Sequence, residues 1–176
     1  ALGASSPLAD AVFALQGLGT LPILLVGDAR LRETYAEPAL HGRAMSAFAM
    51  TEPHAGSDVA AIATTARRDG DTYVLNGGKT FISNAGIADF YTVFASTDAA
   101  ARGKGISCFV VPADAPGLRF VKAQVLSSPH PLGEIAFEDC RVPAAALLGG
   151  REGIGFKTAM KSLDHARIHM AAVAVG

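Results

Sequence analysis

Four stretches of this sequence, taken in order, hold residue types that can bind and polarise small molecules. The first is Phe48-Ala49-Met50-Thr51-Glu52-Pro53-His54-Ala55-Gly56-Ser57-Asp58. It reads as a strand running into a rigid and then a flexible polar turn, because Pro53 fixes its φ and Gly56 permits a positive one. Thr51 and Ser57 offer hydroxyls, and backbone N–H groups in such a turn can be aimed at a polar or anionic ligand. Ordinary capped turns use the same residue types, so the stretch gains weight from the motifs downstream of it. Next comes Asn76-Gly77-Gly78-Lys79-Thr80-Phe81-Ile82-Ser83-Asn84, then Phe137-Glu138-Asp139-Cys140-Arg141-Val142-Pro143 with Leu147-Leu148-Gly149. Last is Leu163-Asp164-His165-Ala166-Arg167.

Several other patterns fall short of chemistry. Gly78-Lys79-Thr80 has the tail of a phosphate-binding loop, but that loop needs a Gly where Tyr73 stands. Gly150, Gly153 and Gly155 have the wrong order of gaps for a dinucleotide fingerprint. His165 and His169 share one helix face at the spacing of two zinc ligands, beside Asp164, yet no third ligand is identified and no metal is expected. His41, His54 and His130 lie in unrelated contexts and form no Ser-His-Asp set. Cys108 and Cys140 are far apart and outside any CxxC, which excludes a disulfide framework and a thiolate zinc site. Cys140 reads as a packed thiol.

The elements that must position these residues fall into three zones. The chain has 176 residues, of which 50% are hydrophobic and 18% charged, enough for a packed core. Fifteen basic residues against 16 acidic ones leave a net charge of −1, which argues against generic nucleic-acid binding. No apolar run approaches the length of about 18 residues that reads as a membrane span. The first residue is Ala1 and no basic leader follows it, so a processed or excised chain is expected. From about residue 7 to 42 the pattern is helical: Leu8, Val12, Leu15 and Leu18 recur, Gly17 and Gly19 end the run, and 21–26 forms a short apolar segment stopped by Gly27. Asp28 then caps a helix whose last turn Pro38 should disturb. From about 44 to 143 short strands are expected at 47–50, 62–68, 72–75, 80–83, 90–95, 106–111, 118–121 and 133–137. Asp69-Gly70-Asp71 and Asn76-Gly77 serve as turns. From 153 onward one long helix carries Ile154, Phe156, Met160, Leu163, Ile168, Met170 and Val173. Its apolar face calls for partner helices. The fold class is α+β: a helical segment, an antiparallel β-barrel or sandwich, then a long helix of an incomplete bundle.

In order and spacing these motifs resemble the acyl-CoA dehydrogenase family. FAMTEPHAGSD is similar to that family's first signature, LNGGKTFISNA to its flavin-side strand, and FEDCRVP with LLG and LDHAR to its barrel exit and following helix. The resemblance is close from about residue 36 onward and looser before. It implies the end of an N-terminal helical domain (1–43), a middle β-barrel domain (44–148) and the first helix of a C-terminal helical domain (149–176). The implied cofactor is FAD. Phe48, Met50, Thr51, Gly56, Ser57, Phe81, Ile82 and Ser83 are carried over as its contacts, Thr51 at the polar edge of the flavin, with Phe81 stacking on it where many members have Trp. Ser57, Asp164 and Arg167 are carried over as substrate contacts.

The implied reaction is the α,β-dehydrogenation of an acyl thioester: a carboxylate takes the α-proton and the β-hydrogen leaves as hydride to flavin N5. The base is a Glu in most members. Here it is expected beyond Gly176, because the rarer alternative position is Ala166. The run 126–134, with Pro129 and Pro131, departs from the family pattern and leaves the carrier open between coenzyme A and an acyl-carrier protein. Such proteins form homotetramers or dimers and pass electrons to a partner flavoprotein. A bacterial-type cytoplasmic location is expected, with the mitochondrial matrix as the other option. The rival readings are a flavin monooxygenase or oxidase on the same scaffold, and a truncated non-catalytic member.

Overall fold

The computed structural model describes residues 5–126 and 130–175. Ser127, Ser128 and Pro129, part of the departing run, lie outside the described residues, as does the side chain of His169. Helix α1 (Pro7–Val26) starts at Ser6, whose Oγ accepts the Ala9 N–H at 3.2 Å. It does not end at Gly17 or Gly19. It runs through both and through Pro22 to Gly27, whose N–H closes on Ile23 O at 2.8 Å. Gly19 is there for clearance: a Cβ would lie 2.5 Å from Ser46 Oγ and 2.9 Å from Ala47 N, where the first strand passes the helix. The expected segment 21–26 is simply the last turns of α1.

Asp28 caps the next helix as expected, its Oδ1 accepting Leu31 N–H at 2.7 Å. This helix has three joined parts: α2 (Ala29–Leu31), a π-helical turn (Arg32–Ala36) and α3 (Glu37–Leu40). Pro38 does not disturb the last turn. The irregularity sits before it, where a wider turn gives room to a ring that lacks an N–H and crowds the carbonyl four residues back. The final helix, α4, spans Gly155–Val175.

Between the helices lies a curled seven-stranded sheet. Its strands are β1 (Ser46–Ala49), β2 (Thr65–Asp69), β3 (Thr72–Ser83), β4 (Phe90–Ser96), β5 (Ile106–Pro112), β6 (Leu118–Ala123) and β7 (Leu132–Pro143). The order is β1-β4-β2-β3-β7-β6, with β5 on β4. Pairing is antiparallel at β2–β3, β3–β7, β4–β5 and β6–β7. It is parallel along β1–β4, and again where Thr65 of β2 meets Ser96 of β4. Asp69-Gly70-Asp71 turns the chain between β2 and β3, with Gly70 at φ 61°.

Asn76-Gly77 does not form a second hairpin. β3 is one strand of 12 residues, and the pair marks a register shift against β7 between Leu75 and Gly77. The Asn76 side chain works inside this bulge: its Nδ2 donates to Asp139 Oδ1 (3.1 Å) and its Oδ1 accepts Asp139 N–H (2.8 Å). Gly77, at φ 141°, also passes so close to Thr64 that a Cβ would sit 2.7 Å from its Cα. The β2 strand starts at Thr65 rather than 62, because Val59–Ala61 forms a 3₁₀ turn.

The sheet has apolar matter on both sides of its middle. Tyr91 and Val93 of β4 and Phe109 and Val111 of β5 face one cluster, with Tyr73, Leu75, Ile135 and Phe137. Phe90 and Phe94 of β4 and Cys108 and Val110 of β5 face the other, with Ile23, Leu31, Leu148 and Ala159 from the helical side. That explains why β4 and β5 read as unbroken apolar runs rather than alternating ones. No described helix is long and apolar enough to cross a membrane.

Candidate functional site

The end of β1, the turn after it and the far half of β3 converge with α1 and α4 on one cavity of about 270 Å³. Its walls are Phe48, Met50, Thr51 and Gly56 from the first signature, Phe81 and Ser83 from β3, and Leu15, Leu18, Val59 and Leu163. Each comes to the cavity for a local reason. Phe48 is held on its other side by Phe94, ring centres 4.7 Å apart. Thr51 is tied to β3, because its carbonyl accepts the Thr80 N–H at 2.9 Å. Gly56 has open space where a Cβ would stand. Phe81 is 58% exposed and has φ 54°. That backbone conformation is unfavourable for a bulky residue, and it is held by Gln124, whose Oε1 accepts the Phe81 N–H at 2.9 Å.

Behind Thr51 lies a buried ion pair. Lys79, 1% exposed, donates from Nζ to Glu52 Oε1 at 2.7 Å and to Met50 O at 3.1 Å. Glu52 also accepts the N–H groups of Ala63 (2.6 Å) and Thr64 (3.0 Å). Burial pulls the Lys79 ammonium down to about 8, against the opposing pull of the Glu52 charge. Burial pushes Glu52 up, but the Lys79 charge and the hydrogen bonds outweigh it and hold the carboxyl below its ordinary value. The pair therefore pins both ends of the 50–64 segment to β3.

The remaining candidates sit elsewhere. Ile82 alternates inward, is 1% exposed in the core and is not among the cavity walls. Ser57 lies on the exposed turn beyond Gly56 and is not among the cavity walls. Asp164 and Arg167 pair with each other at 2.6 Å on the exposed side of α4. Arg167 also borders a smaller cavity of about 160 Å³ between α1 and α4 with Leu15, Leu18 and Met170. His165 Nδ1 bonds the Lys161 carbonyl at 2.8 Å within its own helix, and among the described residues no three His, Cys, Asp or Glu side chains group as a metal site would require. Cys108 and Cys140 are free and buried.

Leu15, Leu18, Val59 and Leu163 were not foreseen as walls. The first two and Leu163 were legible only as helix-stripe residues, which fits any packed helix equally well. A larger cavity of about 720 Å³ lies along another stripe of α1, lined by Phe13, Gln16, Arg43 and Ile87, and holds none of the candidate residues.

The cavity suits a ligand with apolar faces and some polar edge: aromatic and aliphatic residues make up most of its lining, with Thr51 and Ser83 as its hydroxyl-bearing members. A flavin ring has that character. Residues 47–140 match the family model for the acyl-CoA dehydrogenase middle domain. The chain is 43% identical over 157 residues to the mitochondrial short-chain specific acyl-CoA dehydrogenase of Mus musculus, covering 88% of this chain and 38% of that protein. The structure of butyryl-CoA dehydrogenase from Megasphaera elsdenii superposes with a TM-score of 0.87 at 39% identity, over 94% of this chain and 43% of that one. That of the prolyl acyl carrier protein oxidase AnaB does so at 0.87 and 33%, over 94% and 45%. The chain thus spans less than half the length of these relatives. The family-model match covers β1 through most of β7 and includes the cavity residues of β1, the following turn and β3, and on these grounds the chain belongs to the acyl-CoA dehydrogenase family.

Proposed function

We propose that the protein catalyses FAD-dependent α,β-dehydrogenation of an acyl thioester, and that this chain supplies the flavin-facing half of the site. The observation that carries this reading is the single cavity onto which Phe48, Met50, Thr51, Gly56, Phe81 and Ser83 converge. FAD, when bound, supplies the acceptor for the hydride that leaves the β-carbon. The chain's own residues then have distinct tasks. Phe81 and Phe48 offer ring surface and exclude water. Thr51 and Ser83 offer hydroxyls to polar edges. The Glu52–Lys79 pair holds the Thr51 segment in place.

Among the described residues, no carboxylate lines the cavity. Glu52 is committed to Lys79, and Asp164 to Arg167. The base that takes the α-proton is therefore assigned outside these walls. Asp164 and Arg167, exposed on α4, and Ser57, exposed on the turn after β1, are assigned to the thioester and its carrier. Residues 44–148 are read as the middle domain, with 1–43 closing an N-terminal helical domain and 149–176 opening a C-terminal one. The exposed Ile168, Met170 and Val175 of α4 support burial against further helices or other subunits of a homotetramer or dimer. An electron-accepting flavoprotein would reoxidise the flavin. A bacterial-type cytoplasmic location is our reading of the compartment. Likeness to a carrier-protein oxidase favours, as a second reading, a thioester borne on an acyl-carrier protein.

Visible spectra of the full-length protein, taken before and after anaerobic addition of an acyl-CoA panel, test this. Bleaching of the flavin band by one or more acyl-CoAs is expected. Bound flavin that ignores every acyl-CoA but bleaches with acyl-carrier protein supports the second reading, and absence of flavin even after FAD addition refutes both.

A further inference from the structure

Ser83 stands between two cavities. On one side it lines the candidate flavin site. On the other its Oγ lies 2.8 Å from His130 Nε2, and His130 borders a neighbouring cavity of about 430 Å³ with Ile87, Phe120 and Gln124. His130 belongs to the run of sequence that departs from the family pattern. Gln124, from the same β6–β7 connection, holds the Phe81 N–H at 2.9 Å and donates to Thr80 Oγ1 at 2.9 Å. One connection therefore grips both cavity-facing residues of β3 from behind.

We infer that His130 is a positioning residue for the flavin edge: by bonding Ser83 Oγ it commits that hydroxyl to one role toward His130, as donor or as acceptor, and so sets what Ser83 can offer the ligand. This rests on the reading of the cavity as a flavin site. A serine hydroxyl has one hydrogen and two lone pairs, and alone it rotates to suit any neighbour. A ring nitrogen at 2.8 Å removes that freedom. If Nε2 accepts, Ser83 spends its hydrogen on His130 and presents lone pairs to the cavity. If Nε2 carries a hydrogen, Ser83 accepts it and its own O–H is available to the ligand. Burial lowers the His130 pKa below the ordinary histidine value, so the ring is neutral at pH 7 and holds one of these two arrangements. Its surroundings impose no strong field: among the described residues, no other charged side chain lines its cavity. Of the charged and titratable side chains on neighbouring segments, Lys122 and Glu134 pair with each other at 3.4 Å, Asp89 accepts the Met45 N–H, and the Tyr91 hydroxyl accepts the Gly86 N–H.

The test is a double-mutant cycle on the full-length protein reconstituted with FAD, using His130→Ala, Ser83→Ala, the double variant and His130→Gln. FAD dissociation constant, long-wavelength flavin absorption and flavin midpoint potential are read for each. A net hydrogen bond sets the scale at about two- to tenfold in affinity. His130→Ala is expected to weaken FAD by that factor and to shift the absorption band and the potential. It should have no further effect once Ser83 is Ala, and His130→Gln should restore part of the loss. The inference is overturned if His130→Ala leaves all three readouts unchanged, or if the two alanine effects simply add. A wild-type protein that binds no FAD refutes the flavin reading itself, and this inference with it.

Discussion

Replacing Lys79 with Met is the sharpest test of how the cavity-lining segment after β1 is held. The side chains are similar in length, so little volume changes. What changes is charge: Nζ loses its bonds to Glu52 Oε1 (2.7 Å) and Met50 O (3.1 Å). Glu52 keeps the Ala63 and Thr64 N–H donors at 2.6 and 3.0 Å but loses its counter-charge in a buried position. Breaking a buried pair on one side costs about 3–5 kcal/mol, a large part of a typical domain's stability. Lys79→Met is therefore expected to lower the urea midpoint strongly at pH 7 with an unchanged m-value.

Two further outcomes separate this cause from general misfit. Adding Glu52→Gln removes the stranded charge and should recover at least about 1 kcal/mol of the loss, because the amide still accepts from a backbone N–H. The defect should also be pH-dependent. With Lys79 gone, burial is the largest single influence left on Glu52 and acts to raise its folded pKa, which is expected to lie above the unfolded value. The folded state then binds more protons, and stability falls as pH rises through that window. The Lys79→Met penalty should shrink as pH is lowered toward the ordinary carboxylate range. A loss below about 1 kcal/mol, or a double variant no better than the single one, would refute the argument.

Other substitutions separate stability from binding. Phe81→Gly relieves the positive φ of 54° and removes a largely exposed ring, while glycine costs unfolded-state entropy. The two backbone effects nearly cancel, so the unfolding free energy should change by less than about 1 kcal/mol while FAD affinity falls several-fold in a fluorescence titration. Gly19→Ala drives a Cβ to 2.9 Å from the Ala47 backbone nitrogen and should cost about 1–3 kcal/mol in thermal denaturation. Burial raises Cys140 from 9.0 to about 11. Its folded pKa lies above its unfolded one, so its contribution is complete below about pH 9 and is lost as pH rises toward 11, about 3 kcal/mol in all. Cys108 is shifted in the same direction by burial. Lys79, depressed to about 8, contributes with the opposite sign over this range, so the Cys140 effect is read as a difference: in paired urea melts from pH 8 to 11 the parent should lose stability relative to Cys140→Ala.

Much of this was legible in the sequence because local rules and tertiary context agreed. The Asp28 cap, the Asp69-Gly70-Asp71 turn and the unbroken apolar runs of β4 and β5 each gave their element directly. The misreadings share one cause. Asn76-Gly77 carries a hairpin's residue types, yet Asp139 across the ladder takes both ends of the Asn76 amide and turns the pair into a bulge. Gly19 carries a helix terminator's residue type, yet it marks the crossing of β1. In both cases a partner distant in sequence decides between two uses of one residue. The same holds at the site. Thr51, Phe81 and Ser83 could be named from motif order, whereas Gln124 and His130 could not, since they act through single long-range hydrogen bonds.

The distribution of those long-range bonds says what this chain determines. Thr51 is fixed by the Thr80 N–H and the Glu52–Lys79 pair, Phe81 by Gln124, and Ser83 by His130. These three groups are thus braced by elements other than their own segments, which is what a preorganised site needs. The groups assigned to the thioester are different. Asp164 and Arg167 are 67% and 73% exposed and hold only each other, a pair worth at most about 1 kcal/mol. Their geometry is free to be set by whatever packs on α4 or binds there. On the function proposed above, these residues are expected to contribute more to flavin placement than to acyl-group selectivity. Exchanging this segment between two family members of different chain-length preference should carry flavin affinity and potential with it and leave the preference with the recipient. Transfer of the preference with this segment would contradict the division.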